Sequence, residues 1–224
     1  MHRGPQDDGT GGGPWREAKS MVATIVLCLL LQATLVQAYH IPSGSMENTL
    51  LVGDVVVADK LTFGTQFPDR VPILSWKLPS VRIPGLRAPR PGELVIFESV
   101  EDPETDLIKR CVALAGQTVV IRDKGLVVDG VPFTAAKGQK HVDGRVWTGG
   151  DLPRDNFGPY VVPEGHFFAM GDNRDLSYDS RFFGPVPLTN VKARPIVIGF
   201  SHDPARAIWD LPGKVRWRRI GSFD

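Results

Sequence analysis

The segment MVATIVLCLLLQATLVQA, from Met21 to Ala38, contains no charged side chain, and it limits what the chain can fold into more than any other feature. As a helix it would be roughly 27 Å long, close to the thickness of a bilayer's hydrocarbon core. Arg3, Arg16 and Lys19 precede it, and basic residues favour the cytoplasmic side of a membrane. We therefore expect a single-pass transmembrane anchor at 21–38, with residues 39–224 outside the cytoplasm.

A cleavable signal peptide is the alternative interpretation, because Val36, Gln37 and Ala38 include small residues of the kind found at processing sites. The length of the apolar run favours the anchor. In either case the rest of the chain works across a membrane. Residues 1–20 are rich in glycine, and we expect them to form a disordered cytoplasmic tail.

Charge and cysteine usage exclude several classes of protein. The formal net charge is +1, which argues against a nucleic-acid binder with a broad basic face. The two cysteines, Cys28 and Cys111, cannot build a disulfide framework. No CxxC or HExxH spacing offers a zinc site. We expect no metal and no cofactor.

Beyond the apolar segment, short runs rich in Val, Ile and Phe predict β-strands, because Gly, Pro, Asp and Asn separate them. Asp123-Lys124-Gly125 between two runs predicts a hairpin turn. The fold class we expect is mainly β, with an antiparallel extracytoplasmic domain over residues 39–224. The predicted strands are Val55–Ala58, Glu93–Phe97, Leu107–Ala113, Thr118–Arg122, Leu126–Val128, His166–Met170 and Pro195–Phe200.

Two basic segments are compatible with contact with lipid. Arg70–Pro91 contains five cationic side chains and no acidic one, and the stretch from Trp209 to Arg219 combines two tryptophans with basic residues. Either segment is an irregular surface excursion or a lipid-facing surface with tryptophan at the interface. The sequence leaves both interpretations open.

The first candidate for chemistry is Pro42-Ser43-Gly44-Ser45-Met46, just after the apolar segment. A hydroxyl at this place would meet a membrane-bound substrate. The GxSxG elbow of α/β-hydrolases is absent, and so is an SxxK spacing, since position 48 is Asn. If Ser45 is a nucleophile, its base comes from elsewhere in the chain.

The second candidate is the pair Lys109-Arg110 within an apolar strand. Side chains alternate between the two faces of a strand, so one of these cations must face the interior or be paired. Burial lowers the pKa of a lysine. A neutral amine is a competent general base, whereas arginine stays protonated. Lys109 is therefore the plausible base and Arg110 an ion-pair partner.

The third candidate is the charged loop from Gly171 to Arg181, followed by Gly184. It does not match a calcium-binding EF-hand. Ser177 or Ser180 could orient a neutral lysine. The carboxylates of this loop could pair with basic side chains of the same loop or of the lysine strand; these are Asp172, Asp175 and Asp179 on one side, and Arg110, Arg174 and Arg181 on the other.

In these motifs and their order, the chain resembles the bacterial type I signal peptidases (leader peptidases). Pro42–Met46 with Thr49 and Leu50 resembles the nucleophile box, Lys109-Arg110 the lysine box, and Gly171–Arg181 the last box, which is the most specific. The resemblance implies a serine endopeptidase that removes signal peptides from exported preproteins, cutting after small residues at positions −3 and −1.

The resemblance also implies a role for each matching residue. Ser45 would be the nucleophile, Lys109 the general base, and Ser43 an oxyanion-hole donor beside the Ser45 backbone N–H. Ser177 would hold the Lys109 amine. The remaining implied roles are support by Asp172 with Arg110 and by Asp179 with Arg181, and substrate pockets lined by Tyr39, Ile41 and Ile108.

The fold that the resemblance implies is an antiparallel domain of coiled sheets, with a small β insert at about 123–162. It implies a monomer in the inner membrane of a bacterial cell, with secretory preproteins and membrane lipid as partners and no nucleic acid. The chain departs from the family pattern at Asn48, Ala113, Gln117 and Leu176.

The sequence leaves three alternatives for the function of the chain. His40 lies near Ser45 in sequence and would suit a Ser–His enzyme. An anchored β module that only binds a partner would keep the fold without the chemistry. A self-cleaving Ser–Lys protease of the LexA type would need a DNA-binding domain, and the apolar segment argues against it.

Overall fold

The described part of the computed structural model comprises residues 14–66, 70–71, 74–77, 82–134, 138–148, 153–207, 209, 211–221 and 223. Antiparallel β-strands make up most of its regular secondary structure. Single 3₁₀ turns lie at Gly44–Met46, Leu188–Asn190 and Trp217–Arg219. The helices and strands are α1 (Pro14–Thr34), β1 (Val36–His40), β2 (Asp54–Asp59), β3 (Gly64–Gln66), β4 (Arg70–Val71), β5 (Leu74–Lys77), β6 (Arg82–Pro84), β7 (Leu94–Glu98), β8 (Asp106–Leu114), β9 (Thr118–Arg122), β10 (Gly125–Val128), β11 (Val131–Pro132), β12 (Phe157–Val161), β13 (His166–Met170), α2 (Ser180–Phe183), β14 (Val186–Pro187), β15 (Val191–Ser201) and α3 (Leu211–Lys214).

The main sheet has the strand order β1-β2-β15-β7-β8-β13-β14, and each neighbouring pair is antiparallel. Strand β15 joins its two halves. Val191 and Ala193 pair with β7, whereas the stretch from Arg194 to Ser201 pairs with β2. Bulges interrupt both pairings, and bulges bend a strand. The sheet therefore curls, and β1 and β8 both lie beside the loop that contains Ser45.

A second sheet of four strands, in the order β11-β10-β9-β12, packs against β8 and β13. Asp123 and Lys124 form the tight turn between β9 and β10, with φ angles of 46° and 72°. The sheet corresponds to the expected insert, although it begins earlier, at Thr118. Gln117, one of the departures from the family pattern, bonds the Leu114 N–H and the Asp129 carboxylate at its edge.

Apolar side chains form separate clusters on the two faces of the main sheet. The cluster between the sheets includes Val112, Ile121 and Phe168, all buried. A smaller cluster lies beneath the Gly44–Met46 turn and holds that turn against the sheet. Its buried members are Ile41, Met46, Leu50, Val56, Leu94 and Ile198.

The mainly β prediction is confirmed, and each of the seven predicted strands overlaps an observed one. Short strands were not predicted, because β4, β11 and β14 have two residues each and show no alternation. Strand β12 was missed because Gly158 and Pro159 interrupt its apolar pattern.

The N-terminal prediction needs correction. The helix runs from Pro14 to Thr34, so residues 14–20, expected to be disordered, are helical. Residues 36–38, expected at the end of the anchor, belong to β1, because their backbone pairs with β2. Among the described residues, no helix combines the length and the apolarity needed to cross a membrane.

Two predictions fall wholly or partly on residues that the structure does not describe. Residues 1–13 of the expected disordered tail are outside it. So are residues 72–73 and 78–81 of the basic segment Arg70–Pro91, whose described parts include β4, β5 and β6. Contact of that segment with lipid stays a prediction.

Candidate active site

Ser45 lies in the 3₁₀ turn that follows β1. Two backbone hydrogen bonds close the loop around it, from the Ile41 N–H to the Asp54 carbonyl (2.9 Å) and from the Gly53 N–H to the Ile41 carbonyl (3.1 Å). Met46 is fully buried immediately after the serine. The turn is therefore fixed at both ends and from below.

The amine of Lys109 lies 2.6 Å from the hydroxyl oxygen of Ser45. Lys109 is only 3% exposed. Burial lowers the pKa of its amine from 10.5 to about 8; Arg181 lowers it further, while Asp179 and Asp172 oppose the shift. A buried amine with a lowered pKa beside a serine hydroxyl can act as a general base for a nucleophile.

The hydroxyl of Ser43 lies near the hydroxyl of Ser45. Its oxygen is 3.4 Å from the Ser45 hydroxyl oxygen, and Ser43 is exposed while Ser45 is buried. A hydroxyl on the open side of the nucleophile is suitably located to donate to an oxygen that becomes charged there.

Arg110, the next residue on β8, is also buried. Its guanidinium forms a bidentate ion pair with Asp172, with distances of 2.7 and 2.5 Å. Thr49 donates to the same carboxylate at 2.5 Å. Both cations of the strand are thus buried, one against a hydroxyl and the other against a carboxylate. The pair of Arg110 and Asp172 joins β8 to the charged loop. Thr49 joins both to the loop that contains Ser45, which is called the serine loop below.

Asp179 and Arg181 form a second buried pair. The guanidinium of Arg181 lies 2.8 and 2.9 Å from the two carboxylate oxygens. Asp179 also accepts from the Gly171 N–H at 3.0 Å, and Arg181 donates to the Arg174 carbonyl at 2.6 Å. The pair therefore folds the charged loop back on itself beside Lys109.

Ser177 is buried, and its hydroxyl forms no hydrogen bond with any residue that the structure describes. The expected contact with the Lys109 amine is thus not formed, and that role stays a prediction. Ser177 packs tightly against Gly171, where a Cβ atom would lie 2.2 Å from the Ser177 hydroxyl oxygen and 2.6 Å from the Ser45 carbonyl oxygen.

Other polar side chains of the charged loop do not form the contacts expected of them. Asp175 contacts Lys124 at 2.6 Å rather than an arginine. The Ser180 hydroxyl accepts from the Ala169 N–H at 3.0 Å, so it does not orient the lysine. The guanidinium of Arg174 is buried, and within the described ranges it has no hydrogen-bond partner.

Asn173 holds the serine turn directly, and no role was assigned to it from the sequence. Its N–H donates to the Ser45 carbonyl at 3.1 Å, and its amide nitrogen donates to the Gly44 carbonyl at 3.2 Å. Thr49 was missed as well. Both residues stand inside quoted motifs, but contacts between distant segments cannot be read from a motif.

The residues expected to line substrate pockets differ in exposure. Ile41 is buried in the cluster under the serine turn, while Tyr39 and Ile108 are half-buried against neighbouring apolar side chains. Burial raises the pKa of Tyr39, and its hydroxyl has no hydrogen-bond partner in the described part of the chain. Their role in binding stays a prediction.

The ring of His40 lies beside that of His202, at 6.1 Å from centroid to centroid. Among the described residues, the hydrogen bonds of the Ser45 hydroxyl are with Lys109 and Ser43. The geometry therefore favours lysine over histidine as the base.

Comparisons with known proteins identify the family of this chain. Residues 15–200 match the family model described as signal peptidase, peptidase S26. Signal peptidase I of Pseudomonas aeruginosa is 31% identical over 82% of this chain and 71% of the relative. Signal peptidase I of Aquifex aeolicus is 30% identical over 79% and 80%, respectively. A solved signal peptidase I from Enterococcus faecalis is 28% identical and covers 49% of this chain and 98% of its own, with a TM-score of 0.38.

Proposed function

The chain belongs to the signal peptidase family S26 and is a serine endopeptidase, and we propose that it removes signal peptides from exported preproteins through a dyad of Ser45 and Lys109. The observation that carries the proposal is the 2.6 Å distance between the Lys109 amine and the Ser45 hydroxyl. Both residues are buried, and a hydrogen bond is stronger in a low-dielectric interior than in water.

In the proposed reaction, neutral Lys109 takes the proton of the Ser45 hydroxyl as its oxygen attacks the scissile carbonyl carbon. The ammonium then gives a proton to the leaving amine. In the second half of the reaction Lys109 accepts a proton from the water that attacks the ester, and it returns this proton to the Ser45 oxygen as the acyl group leaves. The lowered pKa of Lys109, to about 8, supports this use of the amine near neutral pH.

Ser43 would donate to the oxyanion together with the Ser45 backbone N–H. The 3.4 Å separation of the two hydroxyls supports this role. Removal of one oxyanion donor typically costs about 10²–10³ in rate. Ser43 should therefore matter for the rate and little for folding, since its side chain is exposed.

The two buried ion pairs would keep Lys109 in place. Arg110 with Asp172 fixes the strand that carries the lysine against the serine loop, and Asp179 with Arg181 fixes the charged loop. Ser177 would turn its free hydroxyl to the Lys109 amine when substrate is bound. An unpartnered buried hydroxyl next to the site supports that assignment.

The proposed substrates have small residues at positions −3 and −1, which Tyr39, Ile41 and Ile108 would contact. Ile41 and Ile108 pack in the apolar cluster beneath the Ser45 turn, and Tyr39 and Ile108 pack against a neighbouring cluster, which supports this contact. We propose that the enzyme acts as a monomer.

We propose that the enzyme works at the membrane where preproteins emerge. Met21, Val22, Ile25 and Leu27 of α1 are exposed apolar side chains, which supports contact of this helix with lipid. An extracytoplasmic catalytic domain and a cytoplasmic N-terminus stay predictions from the basic residues Arg3, Arg16 and Lys19.

Cleavage of a secretory precursor in detergent tests the dyad. Ser45→Ala and Lys109→Met should abolish cleavage, while His40→Ala should retain it. Full activity of either dyad variant contradicts the proposal, and loss of activity in His40→Ala would favour a histidine base.

A further inference from the structure

The C-terminal segment packs against the loop that follows Ser45. The Gly221 N–H donates to the Ile198 carbonyl of β15 at 2.9 Å, which holds the segment on the main sheet. Arg216 donates to the Val52 carbonyl at 3.0 Å. The loop after the nucleophile is thus covered by a segment distant from it in sequence.

Arg219 makes the central contacts of this interface. Its guanidinium lies 2.7 and 3.3 Å from the two carboxylate oxygens of Asp54, which is fully buried. The same carboxylate accepts from the Ser201 hydroxyl at 2.6 Å and from the Leu51 N–H at 2.8 Å. Burial raises the pKa of the Asp54 carboxyl group. The hydrogen bonds from Arg219, Ser201 and Leu51 outweigh this effect and keep the pKa below its usual value.

A second contact of Arg219 reaches the site more directly. The guanidinium also donates to the Thr49 carbonyl at 3.0 Å. The Thr49 side chain bonds Asp172, the partner of Arg110. One guanidinium therefore touches the serine loop at two places, and one of these places is bonded to the ion pair beside Lys109.

We propose that Arg219 is a positioning residue of the peptidase reaction, which holds the loop after Ser45 where the nucleophile needs it. The proposal rests on the Ser45–Lys109 reaction proposed above. Arg219 touches neither reacting atom; it acts through the backbone of Thr49 and the carboxylate of Asp54. Because small displacements of reacting groups cost large factors in rate, its loss should lower kcat rather than raise KM.

The neighbouring Arg218 provides a matched control. It belongs to the same 3₁₀ turn and is exposed, and it makes no contact with the serine loop among the described hydrogen bonds. In the full-length chain with a secretory precursor, Arg219→Met should lower kcat about 10- to 100-fold with KM within twofold. Arg218→Met should match the wild type. Arg219→Lys, which keeps the charge, should recover part of the loss.

A double variant separates positioning from folding. Arg219→Met leaves the buried Asp54 carboxylate without its cation, which costs stability in itself. Asp54→Asn combined with Arg219→Met removes both charges, so the midpoint of thermal unfolding should return towards that of the wild type. The rate should stay low, because the contact with Thr49 is still missing.

Two results would overturn the inference. One is recovery of kcat together with the unfolding midpoint in the double variant, which would mean that Arg219 only neutralises Asp54. The other is equal kcat in Arg219→Met and Arg218→Met. Failure of the dyad itself is distinguishable, since Ser45→Ala would then cleave as fast as the wild type whatever Arg219 does.

Discussion

Gly171 packs so closely against Ser177 that a Cβ atom at position 171 would lie 2.2 Å from the Ser177 hydroxyl oxygen. The same atom would lie 2.6 Å from the carbonyl oxygen of Ser45. Glycine is needed here for space rather than for an unusual backbone angle, since its φ is outside the left-handed region. The charged loop and the nucleophile turn can approach each other only because this residue has no side chain.

Gly171→Ala should therefore impair catalysis, because the loop or the serine turn must move by more than an ångström to admit the methyl group. We expect a loss of kcat/KM of at least about 10², measured with a secretory precursor. Gly144→Ala is the matched control, since a Cβ atom there meets nothing within 4 Å and the φ angle is ordinary. Similar activity of the two variants would contradict the packing argument.

Ser177→Ala should separate activity from stability. The hydroxyl is buried and unpartnered among the described residues, so its removal relieves a desolvation cost and should leave the free energy of unfolding unchanged or slightly higher. Activity should fall if the hydroxyl holds the Lys109 amine during the reaction. Urea unfolding and precursor cleavage measure the two effects. A variant with full activity would remove Ser177 from the mechanism.

Ser180→Ala is the informative contrast. That hydroxyl accepts from the buried Ala169 N–H, and its loss should lower the free energy of unfolding by about 1–3 kcal/mol. A stability loss in Ser177→Ala as large as that in Ser180→Ala would show that Ser177 has a partner in the resting enzyme.

The strands and the principal site residues were predictable because their signals are local. Val55–Ala58 and Thr118–Arg122 are short runs rich in valine and isoleucine, and Asp123-Lys124-Gly125 has the composition of a turn. The meeting of Ser45 with Lys109, in contrast, followed from the resemblance and not from the pattern of residues. Contacts between distant segments, such as Asn173 with Ser45 and Arg219 with Asp54, have no signal in a single sequence.

Asn48 shows how a backbone angle escapes sequence analysis. The family resemblance marks it as a departure, since a proline is usual there. In the structure its φ is 85°, a left-handed value that asparagine tolerates and that the proline ring excludes. The departure therefore accompanies a backbone path that the usual residue could not adopt.

Asn48→Pro should then reduce activity, although it restores the residue that is usual in the family. The ring would force φ to about −65° two residues after Met46 and displace Thr49 from Asp172. Asn48→Gly should keep activity, because glycine adopts positive φ freely. Precursor cleavage by both variants checks this. An active proline variant would mean that the loop has a second accessible path.

The pH dependence of cleavage should report the Lys109 amine. Its pKa of about 8 means that the base is protonated, and the enzyme slow, at lower pH. The rate should rise through about pH 8 and then level off. A histidine base would place this rise near pH 6.5. Lys109→Arg should be inactive at every pH, because a guanidinium keeps its proton; cleavage by that variant would contradict a neutral-amine base.

The free energy of unfolding should also depend on pH through the Lys109 amine. The unfolded chain holds the Lys109 proton up to about pH 10.5, whereas the folded chain releases it at about 8. Below pH 8 both states are protonated, so the folded state bears the full cost of a buried ammonium, on the order of 3 kcal/mol. Lys109→Met has no amine to titrate, so its free energy of unfolding should not share this dependence on pH. As pH rises from about 8 to 10.5 the wild type gains stability, so its free energy of unfolding should rise relative to that of the variant by about this amount. A difference that stays constant across this range would mean that the amine is hydrated in the folded protein, and a hydrated amine would not be neutral at the pH where the enzyme must work.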